Sequence, residues 1–200
     1  GLLARGQALR FFELNRYFSG ILVPVSAIRS AGSIGVGEFA DLPQLGRWCA
    51  RVGLELIQIL PVNDTGMESS PYSALSAFAL HPIYLRIADL PEVGRLGAPQ
   101  RAKVEESINA IRAEHGDRSR IDYQAILRAK LDLLREIHRA TDRAVIEPSL
   151  EGTAAPGASP PDESAIPLQA ELTAFTDRSP WLREYAVFSM LRERFDDKPW

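Results

Sequence analysis

Two carboxylates, Asp64 and Glu68, follow directly after an apolar run, Leu54 to Val62, that has the composition of a buried strand. Parallel α/β folds collect active-site residues at the carboxyl ends of strands, and glycoside chemistry uses a pair of carboxyl groups. Either side chain could therefore act as a nucleophile or as a proton-transfer group. Loop carboxylates are common, and most of them are solvated or cap backbone N–H groups. The sequence therefore favours a solvated or capping role for both Asp64 and Glu68.

The next residues, 67–85, combine hydroxyl groups with aromatic rings in the sequence MESSPYSALSAFALHPIYL. The rings belong to Tyr72, Phe78 and Tyr84, and the hydroxyls include those of Ser69, Ser70, Ser73 and Ser76. Flat apolar faces beside short hydrogen-bonding groups suit a ligand with C–H faces and many hydroxyls, namely a sugar. A long loop without secondary structure of its own is more often functional than accidental, so we treat residues 63–82 as a candidate sugar-contacting loop.

Metal chemistry and covalent catalysis receive little support from the sequence. His81, His115 and His138 are far apart, and none has a second ligand at metal-binding spacing. No serine lies in a G-x-S-x-G turn, and Cys49 falls on the apolar face of a predicted helix. We therefore expect no metal site and no serine or cysteine nucleophile.

The glycine-rich segment AGSIGVGEF lies between a strand and a helix, where dinucleotide-binding proteins hold phosphate. Its glycines, Gly32, Gly35 and Gly37, follow the order G-x-x-G-x-G instead of G-x-G-x-x-G, and about 15 residues separate the strand from the helix. The segment is therefore predicted to be a structural loop whose glycines supply positive φ angles or allow close backbone approach. A nucleotide-binding α/β protein is an alternative that would require phosphate bound at 32–37.

The elements that position these residues begin with a strand, a helix and a second strand. The first strand is the aliphatic segment Gly20 to Val25, and the second is Leu54 to Val62. Between them, Asp41 can cap a helix that has Pro43 in its first turn and ends at Gly53. This order predicts a parallel pair, and the continuous apolar composition predicts strands buried on both faces.

After the loop, Ile83 to Ile87 could form a short strand, and most of the remaining chain has helical periodicity. Helices are predicted over residues 100–115 and over Tyr123 to Asp142, the second with Asp122 as its cap. Lys130 lies in the middle of the apolar face of that second helix. The preferred interpretation is that its stem packs while its ammonium group reaches the edge, and the alternative is a buried ion pair between subdomains.

Residues 147–167 contain five prolines and almost no large apolar side chain, which predicts a flexible loop. Ser179 and Pro180 then predict the start of a last helix with an aromatic stripe. The residues of that stripe are Trp181, Tyr185, Phe188 and Phe195.

The overall composition argues against some partners. A chain of 200 residues, 46% hydrophobic and with a net charge of −3, can bury a core but offers no positive stripe, so we expect it to bind neither nucleic acid nor a membrane surface. No apolar stretch approaches the roughly 20 residues that span a bilayer. The single cysteine, Cys49, suits a reducing compartment, and we expect a cytoplasmic protein.

Several segments, taken in order, resemble the N-terminal portion of the 4-α-glucanotransferases, the amylomaltase or disproportionating-enzyme family. The most specific segment is SSPYSALSAF, which follows a strand ending in Leu60 and Pro61, and the second is SIGVGEF. Further similarity lies in IDYQAILRAKLDLL and WLREYAVFSMLRERFDDKPW, so the resemblance covers nearly the whole chain.

The resemblance implies an α/β fold, namely the N-terminal part of a (β/α)8 TIM barrel with its first two parallel strands and a largely helical inserted subdomain. Residues 1–90 would begin the barrel, and residues 91–200 would form the insertion. The implied activity is transfer of a unit from an α-1,4-glucan or maltooligosaccharide, held covalently on an aspartate, to the 4-hydroxyl of another sugar. Ser70 would supply a polar contact to the sugar and Tyr72 would stack or hydrogen-bond at the reacting ring, with no metal or organic cofactor.

In this family the nucleophile, the acid/base and a third carboxylate come from later strands, so they are expected beyond Trp200, and no residue of this chain takes a catalytic role. A barrel needs about 250 residues and eight strands. The chain alone is therefore expected to be inactive and to need the remainder of the polypeptide to close the barrel. The alternative, from another functional class, is a non-catalytic glucan-binding or scaffolding fragment.

Overall fold

The structure is a computed structural model that describes residues 17–116, 119–146 and 168–195. Within these ranges the strands are β1 (Gly20–Val23) and β2 (Leu56–Ile59). The helices are α1 (Leu42–Arg51), α2 (Pro91–Arg95), α3 (Ala98–His115), α4 (Tyr123–Ile146), α5 (Leu168–Arg178) and α6 (Leu182–Arg194). The predicted flexible loop, 147–167, lies outside the described residues.

The two strands pair in parallel, with Gly20 opposite Leu56 and Val23 opposite Ile59, and α1 connects them. This confirms the predicted strand, helix and strand. The prediction that both faces of the strands are buried is wrong, because the side chains of Leu22 and Leu56 are 60% and 54% exposed. In the described part of the chain this sheet has two strands, whose residues are half-buried or exposed.

The helical predictions are confirmed for α3 and α4, whereas the short strand predicted over Ile83 to Ile87 is wrong. Asp122 caps α4 as expected, since its carboxylate accepts a hydrogen bond from the backbone N–H of Ala125 at 3.2 Å. Two 3₁₀ turns, Pro82–Tyr84 and Ile87–Asp89, replace the strand. Pro82 starts the first of these turns, because its ring fixes a φ angle that suits a turn and it has no N–H to give to a sheet.

Two further differences concern the helices themselves. The helices α2 and α5 were not predicted individually, and α6 begins at Leu182, after the predicted Ser179 and Pro180. None of the helices in the described ranges is long and apolar enough to cross a lipid bilayer.

Within the described ranges, most of the buried apolar side chains form two clusters. The first contains Ile34, Ile87, Val93, Leu96, Val104, Ile108, Leu133 and Ile137. The second contains Val25, Val36, Ile83, Tyr84, Ile126 and Leu127. Each cluster joins residues of the first 90 positions to residues of the later helices, and the division of the chain near residue 91 stays a prediction.

The glycine-rich segment has the structural role that its spacing predicts. Gly35 has a φ angle of 91°, which non-glycine residues rarely adopt. At Gly37, a Cβ atom would lie 2.0 Å from the carbonyl oxygen of Val25, so only glycine allows the two backbone segments to come so close. The backbone at Gly37 therefore lies directly against the residues that follow β1.

Lys130 forms a buried ion pair, so the preferred interpretation of an ammonium group at the edge is wrong, and the ion pair of the alternative is confirmed, while its location between two subdomains stays a prediction. Its side chain is 0% exposed, and its Nζ atom lies 2.6 Å from Oε1 of Glu38. The same ammonium donates to the carbonyl oxygens of Ile83 at 2.6 Å and Leu85 at 2.8 Å. Burial lowers the pKa of Lys130, and the charge of Glu38 opposes that shift.

Arg86 extends the ion pair into a network of two cations and two carboxylates. Its Nε atom lies 2.8 Å from Oε2 of Glu38, and its Nη2 atom contacts Asp41. Asp41 also accepts hydrogen bonds from the hydroxyls of Ser30 at 2.5 Å and Ser33 at 2.9 Å. Burial acts to raise the pKa of Asp41, but the hydrogen bonds from Ser30, the backbone N–H of Glu38, Arg86 and Ser33 outweigh it and lower that pKa. Asp41 occupies the position before α1, as predicted, but its carboxylate makes no capping hydrogen bond to that helix and instead accepts from the N–H of Glu38 at 2.8 Å.

Candidate functional site

The candidate sugar-contacting loop is closed at its base by backbone hydrogen bonds. Asn63 and Leu80 form an antiparallel bridge. The N–H of Asp64 donates to the carbonyl of Ala79 at 2.9 Å, and the N–H of His81 donates to the carbonyl of Val62 at 2.9 Å. The two ends of the loop are therefore fixed next to each other directly after β2.

Asp64 organises the interior of the loop. Its backbone carbonyl accepts from the N–H of Leu75 at 2.7 Å, and its Oδ1 atom accepts from the N–H of Gly66 at 2.9 Å. Its Oδ2 atom accepts a hydrogen bond from the hydroxyl of Tyr185 on α6. Burial and the neighbouring Asp64 raise the pKa of Tyr185 to about 12, so this hydroxyl stays protonated at neutral pH. These contacts give Asp64 a structural role, as the sequence favoured.

Glu68 lies on the surface of the same loop. Its carbonyl oxygen accepts from the hydroxyl of Thr65 at 2.6 Å, which closes a turn over residues 65–68. Its side chain is exposed. Neither Glu68 nor Asp64 is placed as one of a pair of free carboxylates facing a cleft.

Ser70 and Tyr72, the predicted substrate-binding residues, lie at the exposed tip of the loop. The N–H of Ser73 donates to the carbonyl of Ser70 at 3.1 Å, so residues 70–73 form a turn. The side chain of Tyr72 is 74% exposed, and its ring is available to a ligand. Their contact with a sugar stays a prediction.

The other ring and hydroxyl residues of the loop have different roles. Phe78 is 65% exposed and stacks on Trp181, with ring centroids 5.6 Å apart and planes 16° from parallel. The hydroxyl of Ser76 accepts from the N–H groups of Phe78 at 3.1 Å and Ala79 at 3.0 Å, so it shapes the loop. Tyr84 is buried in the second core cluster, so the expectation that its ring faces a sugar is wrong.

His81 is buried at the base of the loop and holds a neutral ring. Its Nδ1 atom accepts from the N–H of Ile83 at 3.3 Å, and its Nε2 atom lies 3.1 Å from the carbonyl oxygen of Gly66, to which it donates. A second proton, on Nδ1, would point at the N–H of Ile83. Burial also lowers the pKa of His81, although the charge of Asp64 opposes that shift. In the described ranges, no group of three or more His, Cys, Asp or Glu side chains could hold a metal ion.

We expect the loop base to weaken in mild acid because of His81. Its folded pKa lies below its unfolded value of 6.5, so below pH 6.5 the unfolded chain binds a proton that the folded chain does not, and stability falls as the pH falls. Each pH unit in this window costs up to about 1.4 kcal/mol. The measurement is the melting temperature of the intact protein and of the His81→Asn variant between pH 7 and pH 5. The variant should lose less stability over that range, and equal losses would contradict the prediction.

A groove of about 560 Å³ runs beside the loop, between α4 and α6. Its apolar lining includes Met67, Leu75, Leu127 and Leu131. Charged and hydroxyl groups from both helices lie around it, including Arg128, Asp132, Arg135, Ser189 and Glu193. The predicted sugar-contacting loop is therefore one wall of a groove, and a helix far away in sequence supplies another.

Sequence reasoning missed the contribution of α6 to this site. The sequence places Trp181 and Tyr185 in the aromatic stripe of the last predicted helix. Nothing in a helical stripe indicates which surface it contacts, and Tyr185 is 121 residues from Asp64. The signal available for such a contact was the aromatic composition of the stripe, because tyrosine and tryptophan carry a hydrogen-bonding group on an apolar ring.

The family model described as 4-alpha-glucanotransferase matches residues 23–200. The chain belongs to the 4-alpha-glucanotransferase family. This confirms the resemblance carried by the SSPYSALSAF and SIGVGEF segments.

Individual family members and a solved structure are similar over most of this chain. The 4-alpha-glucanotransferase DPE2 of Oryza sativa subsp. japonica is 32% identical over 183 residues, which is 89% of this chain and 16% of the rice protein. The 4-alpha-glucanotransferase of Chlamydia caviae is 29% identical over 181 residues, which is 90% of this chain and 29% of that protein. The crystal structure of amylomaltase from Corynebacterium glutamicum superposes with a TM-score of 0.55 at 24% identity, covering 90% of this chain and 29% of the amylomaltase chain.

The family members are thus much longer than this chain. It spans less than a third of the length of each of these three relatives. The parallel strand pair and the helices described here agree with part of an α/β enzyme fold of that family.

Proposed function

We propose that this chain forms part of an enzyme that moves α-1,4-glucan segments or glucosyl units from a maltodextrin donor to another sugar acceptor. The reaction is a retaining double displacement: an aspartate displaces the leaving sugar and forms a glycosyl–enzyme bond, and the 4-hydroxyl of the acceptor then displaces the aspartate. The catalytic carboxylates are expected beyond residue 200, and the chain's own contribution is to bind and orient the glucan. No cofactor takes part.

The observation that carries this proposal is the exposed Tyr72 ring on a loop that is fixed at its base. Tyr72 and Ser70 belong to the segment that carries the family resemblance, and the loop follows the carboxyl end of β2. In barrels built from parallel strands, that end is where substrates bind. A ring that is 74% exposed gains most by stacking on the C–H face of a glucose unit.

Exposed apolar surface on the sheet supports a larger barrel around this chain. Leu22 on β1 and Leu56 on β2 expose more than half of their surface, and Trp48 on α1 is also exposed. Large apolar side chains exposed on a sheet and its connecting helix usually pack against other parts of a protein. We propose that the remainder of the polypeptide covers it and closes a (β/α)8 barrel, with 91–200 as a helical insertion, and that the enzyme works in the cytoplasm.

The proposed activity is tested by incubating the intact protein with maltose, maltotriose and longer maltodextrins and by following the chain lengths of the products. We expect a redistribution into shorter and longer chains, and no redistribution with residues 1–200 alone. Maltodextrin binding without redistribution by the intact protein would favour the non-catalytic glucan-binding alternative. Absence of both binding and redistribution would overturn the proposal.

A further inference from the structure

The segment that starts α6 and the helix itself contact the candidate sugar-contacting loop at three points along one helical face. Trp181, the residue that precedes α6, stacks on Phe78. Tyr185 donates its hydroxyl to Asp64. The guanidinium of Arg192 lies beside Gly66, where a Cβ atom would come within 2.8 Å of its Nη1 atom. Positions 181, 185 and 192 are four and seven residues apart, so they share one face of the helix.

Asp64 is the residue through which this contact reaches the rest of the loop. Its N–H, its carbonyl and both of its carboxylate oxygens all make hydrogen bonds, to Ala79, Leu75, Gly66 and Tyr185 respectively. The Gly66 contact fixes a turn with a φ angle of 59°. A shift of the Asp64 carboxylate would therefore disturb the turn at Gly66, and a shift of the whole residue would also disturb the bend at Leu75, whose N–H bonds to the Asp64 carbonyl.

We propose that Tyr185 is a positioning residue for the glucan-binding loop, acting through Asp64, with Trp181 supporting the outer side of the loop through Phe78. This inference rests on the function proposed above, because it assigns a purpose to the loop that Ser70 and Tyr72 occupy. A loop that is ordered before the sugar arrives loses less conformational entropy on binding, so the affinity for the glucan is higher. Tyr185 itself touches no reacting atom.

The variant that tests the proposal is Tyr185→Phe in the intact protein. It keeps the ring, which packs edge-on against Trp181 with centroids 6.0 Å apart, and removes the hydroxyl that binds Asp64. The matched control is Tyr17→Phe, which removes a hydroxyl from a fully exposed tyrosine. We expect the KM for maltodextrin to rise about tenfold in Tyr185→Phe, with kcat changed less than about twofold, and no change in the control.

Hydrogen–deuterium exchange over residues 64–80, measured without sugar, provides a readout that does not depend on activity. In Tyr185→Phe, the amides of Asp64, Gly66 and Leu75 should exchange about tenfold faster than in the parent protein. The N–H groups of Gly66 and Leu75 donate to Asp64, and the N–H of Asp64 donates to Ala79. Saturating maltodextrin should restore slow exchange. The Tyr17→Phe control should exchange at the parent rate.

The outcomes separate this inference from the proposed function. Faster exchange together with a raised KM supports the positioning role. Unchanged exchange overturns the positioning role. A lower kcat at constant KM also overturns it, since that result indicates a smaller fraction of folded enzyme. If the parent protein transfers no glucosyl units, the proposed function fails, and the exchange measurement still decides whether Tyr185 orders the loop.

Discussion

Replacing Tyr72 with alanine in the intact protein is expected to lower kcat/KM for maltodextrin about 30-fold while leaving the melting temperature nearly unchanged. The ring is 74% exposed, so its removal takes little packing from the fold, and surface substitutions usually change stability by less than about 0.5 kcal/mol. Covering such a ring with a sugar face is worth about 2 kcal/mol, which corresponds to a factor of about 30. The measurements are steady-state kinetics and thermal unfolding of the same preparation.

Two further variants make the Tyr72 result specific. Tyr17→Ala removes a fully exposed ring outside the loop and should change neither quantity. Tyr84→Ala removes a buried ring from the second core cluster and should lower stability by about 3 kcal/mol or more. If Tyr72→Ala resembles the Tyr84 variant in losing activity and stability together, the ring belongs to the fold and the assignment as a sugar contact is wrong.

Local sequence patterns were sufficient for the elements whose formation depends on nearby residues. The apolar stripe from Tyr123 to Ile137 and the carboxylate of Asp122 predict α4 and its cap, because both signals lie within the helix and its first turn. The parallel strand pair follows from two apolar runs separated by one amphipathic helix. The glycine spacing indicates a structural loop and excludes a standard phosphate-binding turn.

Two of the predictions that were wrong concern residues whose environment comes from distant parts of the chain, whereas the missing strand over 83–87 has a local cause in Pro82. Tyr84 has the type and spacing of a sugar-stacking ring, but α4 packs over it. Asp41 stands where a helix cap is expected, but its carboxylate binds the guanidinium of Arg86, which is 45 residues later in the chain. Patterns along the chain describe what a side chain can do, whereas long-range packing decides which of these contacts it makes.

The same limit applies to the site. The loop and its exposed residues Ser70 and Tyr72 could be located from composition and from the family resemblance. The partner helix could not, since the hydrogen bond from Tyr185 to Asp64 joins residues 121 positions apart. The groove thus combines a segment that is recognisable in the sequence with a support that becomes visible only in three dimensions.

Replacing Lys130 with methionine is expected to lower the free energy of unfolding by about 3 kcal/mol, because it leaves Glu38 charged and buried without its nearest cation. Methionine has nearly the same length, so the change creates little empty space. The loss should be visible as a lower urea midpoint of the intact protein. The matched control is Lys103→Met, which breaks an ion pair between α3 and α4 in which the lysine side chain is 68% exposed, and which should cost less than about 1 kcal/mol.

The double variant Glu38→Gln/Lys130→Met decides whether the cost arises from an uncompensated charge. Removing both charges leaves Arg86 paired with Asp41, so the double variant should be more stable than the sum of the two single losses predicts, by about 1 kcal/mol or more. Strict additivity would mean that Lys130 acts through its packing alone. Because Glu38 lies in the SIGVGEF segment and Lys130 in α4, the network ties the loop between β1 and α1 to the helix that lines the groove. Its loss should therefore also raise the KM of the intact enzyme, whereas Lys103→Met should leave the KM unchanged.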